Sequence, residues 1–181
     1  KHNLADSEYN IRRQECEAGL KLLQGHFPEV SSFRDVKRSM LEKYQAEFEK
    51  DIYDRCDYVL AEEERMKAAT LALNNSDLKT FGGLMFETHE GLKNLYRVSC
   101  PELDFLVDLA KDNSNILGAR MMGGGFGGCT INLIKKDAVE EITNCLKAKY
   151  LNKFNLELDN FEVKIMDGCS VINTKEKDIY Q

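Results

Sequence analysis

Five of the six residues from Gly123 to Gly128 are glycine, inside the stretch ARMMGGGFGGCTI that runs from Ala119 to Ile131. Glycine runs serve chemistry in a few ways. They cradle a phosphate on backbone amides, turn a hairpin, or let a second backbone come close. Gly123, Gly125 and Gly128 satisfy the spacing G-x-G-x-x-G. A dinucleotide fingerprint needs a strand before that pattern and a helix after it, because the helix N-terminus carries the pyrophosphate. The residues that follow, CTINLI, alternate as a strand does, which argues against a Rossmann site. No Lys-Ser/Thr pair follows the glycines, so this is not a Walker A loop. A hairpin turn needs one or two glycines, and ordering five carries a large entropy cost. The excess points to a loop that passes close to a ligand, or to a second loop that holds one.

Other residues with chemical potential read more plainly. His89, in ETHEG, titrates near neutral pH and could serve as a base, but a structural hydrogen-bonding role is the simpler expectation. His2 and His26 read as a terminal and a loop residue. Glu62, Glu63 and Glu64 stand in a row on a predicted helix, where a solvated face is expected rather than a metal site. Tyr53, Tyr58 and Phe86 read as packing. The six cysteines (Cys16, Cys56, Cys100, Cys129, Cys145 and Cys169) form no C-x-x-C pair and no Cys/His cluster. The expectation is buried free thiols in a reducing cytoplasm, without structural zinc.

The elements that must position these residues begin with helices. Ser7 can cap a helix to about Gln24, stopped by Gly25 and Pro28, with Tyr9, Cys16, Leu20 and Leu23 on one stripe. A second helix spans about Asp51 to Leu73, its apolar face Ile52, Cys56, Val59, Met66 and Leu73. A third follows Asp77 to about Tyr96, with Leu78, Phe81, Met85, Leu92 and Leu95 inward. It contains Gly82, Gly83 and Gly91, each costing about 1 kcal/mol against Ala, so close packing of another backbone is expected. SCPE, from Ser99 to Glu102, reads as a capping box that starts a fourth helix through Leu103, Leu106, Val107 and Ala110. The character then changes to strands: ILGARMM from Ile116, and CTINLI with Cys129, Ile131 and Leu133 on one face. A helix from about Ala138 to Tyr150, a strand FEVKIM (Phe161 to Met166), a turn at Asp167 and Gly168 and a last strand CSVI complete the pattern. The predicted class is α+β: a helix-rich lead-in, then a small antiparallel sheet with covering helices. The tail at 173–181 is expected to be loose.

The 181 residues suit one domain, and 43% hydrophobic content suffices for a core. A net charge of −6 without a basic stripe speaks against nucleic acid or an anionic membrane as the main partner. No run of about 18 apolar residues suggests a membrane span. The opening KHNLADSEYN is polar, unlike a signal peptide, and has no initiator Met, so a fragment starting mid-protein is expected.

GARMMGGGFGGCTINLI resembles the third motif of the GHMP small-molecule kinases, in the form found in galactokinases. SEYNIRRQECE (Ser7 to Glu17) and FGGLMFETHEGLKNLYRVSCPELDFLV (Phe81 to Val107) are similar to galactokinase segments in the same order. The resemblance covers most of residues 1–135 and is weaker beyond. It implies transfer of the γ-phosphate of ATP to the 1-hydroxyl of α-D-galactose with Mg²⁺, in the cytoplasm. It implies the GHMP kinase C-terminal domain, of ferredoxin-like fold, with an active site shared between two domains. No GEHTDY-like sugar stretch and no GLSSSA-like nucleotide loop is present, so the catalytic residues are expected in an N-terminal half absent from this chain. By the same resemblance Tyr9 contacts the sugar, and Gly123, Gly124, Gly125, Gly127 and Gly128 support the nucleotide loop. Met122 stands where galactokinases usually carry Thr, and its thioether is expected to point into the core. A non-catalytic sugar sensor or an N-acetylgalactosamine kinase could use the same scaffold, although those relatives tend to carry GAGWGG. A purely structural helical module is the remaining alternative.

Overall fold

The computed structural model describes residues 8–166 and Gly168. The expected Ser7 cap, Asp167 of the expected turn, the CSVI strand and the tail lie outside the described residues. Helix α1 spans Glu8–His26, α2 Arg38–Lys43, α3 Lys50–Asn74, α4 Leu78–Asn94 and α5 Pro101–Lys111. Strands β1 (Ile116–Met122) and β2 (Cys129–Ile134) follow, then α6 (Val139–Phe154), with three single 3₁₀ turns between elements. The α+β reading holds: helices lead, and the two strands pair antiparallel with Met121 opposite Thr130 and Met122 opposite Cys129.

Three apolar clusters hold these elements. Leu23 of α1, Leu41 of α2, and Cys56 and Leu60 of α3 bury one another together with Val30 and Val36. Val107 and Ala110 of α5 meet Ile116 and Ala119 of β1 and Ile142 of α6. Val98, Leu103 and Met121 form a small third cluster directly beneath the glycine loop, with Phe126 packed against it.

Local differences from the sequence expectation have physical causes. Gly25 lies inside α1, which continues to His26. The ring of Pro28 and its restriction on Phe27 supply the stop. The α1 stripe leaves the core before Tyr9, which is 57% exposed. On α3, Met66 and Leu73 are exposed, because α4 covers the second half of this 25-residue helix on another face, the one that buries Ala72 and brings Thr88 to Glu62. Cys100 rather than Ser99 occupies the N-cap of α5, with Pro101 in the first turn. Ser99 instead donates from Oγ to Asp104 Oδ1 at 2.5 Å. Strand β2 lacks the expected alternation: Cys129 is exposed and the other five residues are half-buried. Met121 is fully buried, so the strand pleat turns Met122 outward, 45% exposed rather than in the core. Residues 155–166 adopt no regular secondary structure. Phe161, Val163 and Ile165 of the expected strand are all exposed; alternation makes a strand only where a sheet edge takes up its backbone hydrogen bonds. Of the five described cysteines all are free, but Cys56 alone is buried, while Cys129 and Cys145 face solvent.

The glycines of α4 divide by role. A Cβ on Gly82 would lie 1.9 Å from the Leu117 carbonyl oxygen of β1. Gly118 answers from the strand, where a Cβ would lie 2.5 Å from the Gly82 Cα. Helix and strand backbones therefore touch, as the sequence suggested. Gly91 admits the Tyr58 ring, 2.7 Å from its missing Cβ, whereas nothing lies within 4 Å at Gly83.

Candidate functional site

The loop Gly123–Gly128 joins β1 to β2, and its glycines are needed first for conformation. Gly123, Gly125, Gly127 and Gly128 have φ of +86°, +92°, +118° and +97°, a region closed to most side chains. Phe126 also sits at φ +59°. An aromatic residue held there is strained by about 1–3 kcal/mol and persists only where its surroundings fix it. They do: its amide donates to the Val98 carbonyl, and its ring packs on the Val98–Leu103–Met121 cluster. A Cβ on Gly125 would lie 2.3 Å from that same carbonyl oxygen. At Gly125 the loop thus closes on the α4–α5 linker of the same chain, a contact different from the approach to a ligand or second loop expected from the sequence.

Helix α1 closes the other side. Tyr9 and Arg12 lie one turn apart on it, so they share a face. Arg12 Nε donates to the Tyr96 carbonyl at 2.9 Å and Nη2 to the Arg97 carbonyl at 3.2 Å. Its guanidinium carbon stands 5.8 Å from the Phe126 ring centre. Glu8 and Glu15 lie 3.4 Å from the same guanidinium and balance its charge. Tyr9 continues toward the loop, its Cδ2 4.0 Å from where a Gly124 Cβ would be. The structure therefore brings Tyr9 and the glycine loop together, with Arg12 as the clasp. Arg12 and Val98 are partners the sequence did not reveal. The sole local signal was the i, i+3 spacing of Arg12 from Tyr9.

Behind Tyr9 lies a cavity of about 300 Å³ between α1 and α3, lined by Tyr9, Arg13, Cys16, Leu20, Phe33 and Tyr96 among others. Burial raises the Cys16 thiol and the Tyr96 phenol above their ordinary pKa values, so neither is a ready nucleophile there. Glu62 accepts from the Thr88 hydroxyl and from Arg65, Glu63 pairs with Lys67, and Glu64 with Arg38. The acidic run is thus an ion-pairing face, with Glu62 tied to α4 rather than merely solvated. His89 is 1% exposed, which leaves it no route to a substrate.

The comparisons with known proteins fit this geometry. Residues 69–152, which hold the last turns of α3, then α4, α5, both strands, the glycine loop and most of α6, match the family described as GHMP kinases C terminal. Residues 69–152 form a GHMP kinase C-terminal domain. Sequence similarity extends beyond that domain. The galactokinase of Thermotoga neapolitana is 45% identical over 172 residues, 95% of this chain and 47% of that protein. The galactokinase of Clostridium acetobutylicum is 44% identical over 96% of this chain and 44% of its own length. A crystal structure of Lactococcus lactis galactokinase complexed with galactose superposes with a TM-score of 0.81 at 29% identity, covering 87% of this chain and 40% of that one. The chain thus spans about half the length of the curated relatives it matches.

The GHMP kinase C-terminal domain can be tested against the groups its family implies. Residues 116–134, the two strands and the loop, hold no Asp or Glu, and Arg120 is their only charge. That suits a polyphosphate near the loop backbone. Among the described residues no group of three or more His, Cys, Asp or Glu could hold a metal ion. No described helix is long and apolar enough to cross a membrane.

Proposed function

We propose that this chain is the C-terminal half of a galactokinase, which transfers the γ-phosphate of ATP to the 1-hydroxyl of α-D-galactose in the cytoplasm. The observation that carries the reading is the juxtaposition of Tyr9 with the glycine loop. A residue that resembles the family's sugar contact stands beside the loop that resembles its nucleotide-loop support. The identity of 45% to a galactokinase over 95% of the chain agrees with it.

In this reading the sugar oxygen attacks the γ-phosphorus and ADP leaves; positioning and charge neutralisation supply most of the rate. The Tyr9 ring offers the sugar an apolar face, and its hydroxyl a hydrogen bond. Gly123, Gly124, Gly125, Gly127 and Gly128 form a surface without side chains, against which the nucleotide loop of the other half can lie. Bound magnesium would supply neutralisation of the phosphate charge, and the group that takes the hydroxyl proton is assigned to the other half. Residues 1–181 alone are accordingly inactive.

The test is ADP release from Mg-ATP with and without galactose, on this chain and on the full-length polypeptide. Turnover by the full-length protein alone, and with galactose alone, supports the reading. Preference for N-acetylgalactosamine would reassign the substrate. Galactose binding without ADP release would make the protein a sensor.

A further inference from the structure

His89 joins three elements beneath the loop, and its role reaches further than packing. The Met121 amide of β1 donates to His89 Nδ1 at 3.2 Å. Nδ1 must therefore carry a lone pair, which places the ring proton on Nε2. Nε2 lies 3.2 Å from Asp104 Oδ1 on α5 and donates to it. Asp104 is held in turn by the Ser99 hydroxyl at 2.5 Å and by Lys93 Nζ at 3.4 Å. The charged or titratable groups facing the imidazole are thus Asp104 from α5, with Glu90 and Lys93 from α4 itself. From β1 it meets a neutral amide.

Met121 precedes the loop by a single residue, Met122. Its side chain belongs to the same cluster as Val98, whose carbonyl receives the Phe126 amide. The strand end and the loop floor are therefore set together, and the Met121 amide is the one that His89 fixes. We infer that His89 is a positioning residue for the glycine loop. Through Nδ1 it holds the Met121 amide, and with it the height at which Gly123–Gly128 meets the nucleotide loop. Asp104 keeps the imidazole in the tautomer that can accept. The inference rests on the galactokinase reading for its kinetic consequence, though not for its structural one.

Three substitutions separate the two bonds in the full-length protein. Asn places an amide oxygen at the Nδ1 position and keeps the acceptor for Met121. Gln reaches the Nε2 position and keeps the donor to Asp104. Leu keeps neither. The expected result is an ATP KM raised about tenfold in His89→Gln and His89→Leu, from a buried amide left unsatisfied. His89→Asn should stay within about threefold of the parent, and the galactose KM within about twofold in all three. Amide hydrogen exchange at residues 121–128, measured on the same proteins, should speed up in His89→Gln and His89→Leu but not in His89→Asn. This second readout does not need turnover. If the parent releases no ADP with galactose, the kinase reading falls while exchange still decides the positioning role. If Gln matches Asn in both ATP KM and exchange, or the galactose KM moves with the ATP KM, the positioning role is overturned.

Discussion

The Tyr9 ring and Gly124 meet across the gap between α1 and the glycine loop, with Tyr9 Cδ2 4.0 Å from where a Gly124 Cβ would stand. That contact makes the first turn of α1 one wall of the proposed sugar site. In the full-length protein, Tyr9→Phe should raise the galactose KM about tenfold through loss of one hydrogen bond, with the ATP KM little changed. An unchanged galactose KM would remove Tyr9 from the site.

Neighbouring glycines should respond differently to alanine. Within this chain a methyl group at Gly124 meets only ordinary van der Waals contact, and Gly124→Ala should lower activity less than Gly125→Ala. At Gly125 the backbone has φ +92° and the Val98 carbonyl oxygen is 2.3 Å from the new carbon. Gly125→Ala should lower kcat/KM for ATP by about tenfold or more, since strain and collision both act on the loop. Equal activity in the two variants would show that the loop geometry does not govern nucleotide use.

The helix glycines give a matched pair for stability. Gly82→Ala drives a methyl into the Leu117 carbonyl and should cost about 2–4 kcal/mol. Gly83→Ala faces open solvent on the same helix and should stabilise by about 0.5–1 kcal/mol. Urea unfolding of both variants checks the signs; a neutral Gly82→Ala would contradict the backbone contact between α4 and β1.

Acid should weaken the fold through His89. Burial pushes its imidazole below the ordinary histidine value, with Asp104 pulling the other way. The unfolded chain then takes up the proton more readily than the folded one. Stability from this residue is complete above about pH 6.5 and is lost as the pH falls below that value. Asp35, held at about 2 by Ser31 and Ser32, acts only in a more acidic window. Thermal unfolding between pH 7.5 and 5.5 should show a steeper fall in the parent than in His89→Asn, and parallel curves would rule His89 out as the source.

Arg12 should behave as a fork rather than as a charge. Its two carbonyl contacts to the α4–α5 linker need a planar guanidinium, which Lys cannot supply. Arg12→Lys should destabilise by about 1–2 kcal/mol in urea unfolding and raise the ATP KM through the loosened linker. If Lys restores both quantities, charge alone suffices.

Much of the fold was legible because its signals are local. The glycines of α4 announced a close neighbour, and the alternation after Gly128 placed the loop between strands. What escaped was set by contacts distant in sequence. Arg12 reaches a carbonyl 84 residues away, and no local pattern marks Val98 as the floor of the loop. The strand expected at Phe161 to Met166 shows the same limit, since alternation records what a segment could pair with, not whether a partner is there. Met122 was misplaced for a simpler reason: with Met121 adjacent, either thioether could have taken the buried side of the pleat. Tyr9 is a candidate sugar contact through resemblance, because its helical spacing alone marks a core position.

The backbone contact at Gly82 and Gly118 has a mechanical consequence. A helix seated that tightly on a strand can neither roll nor slide without atoms colliding, so α4 and β1 must travel as one stiff unit. If the two halves of the full-length protein open and close around their substrates, the glycine loop rides on that unit and keeps its shape throughout the stroke. Compliance then has to come from elsewhere, and α1, whose exposed first turn bears Tyr9, is the softer wall.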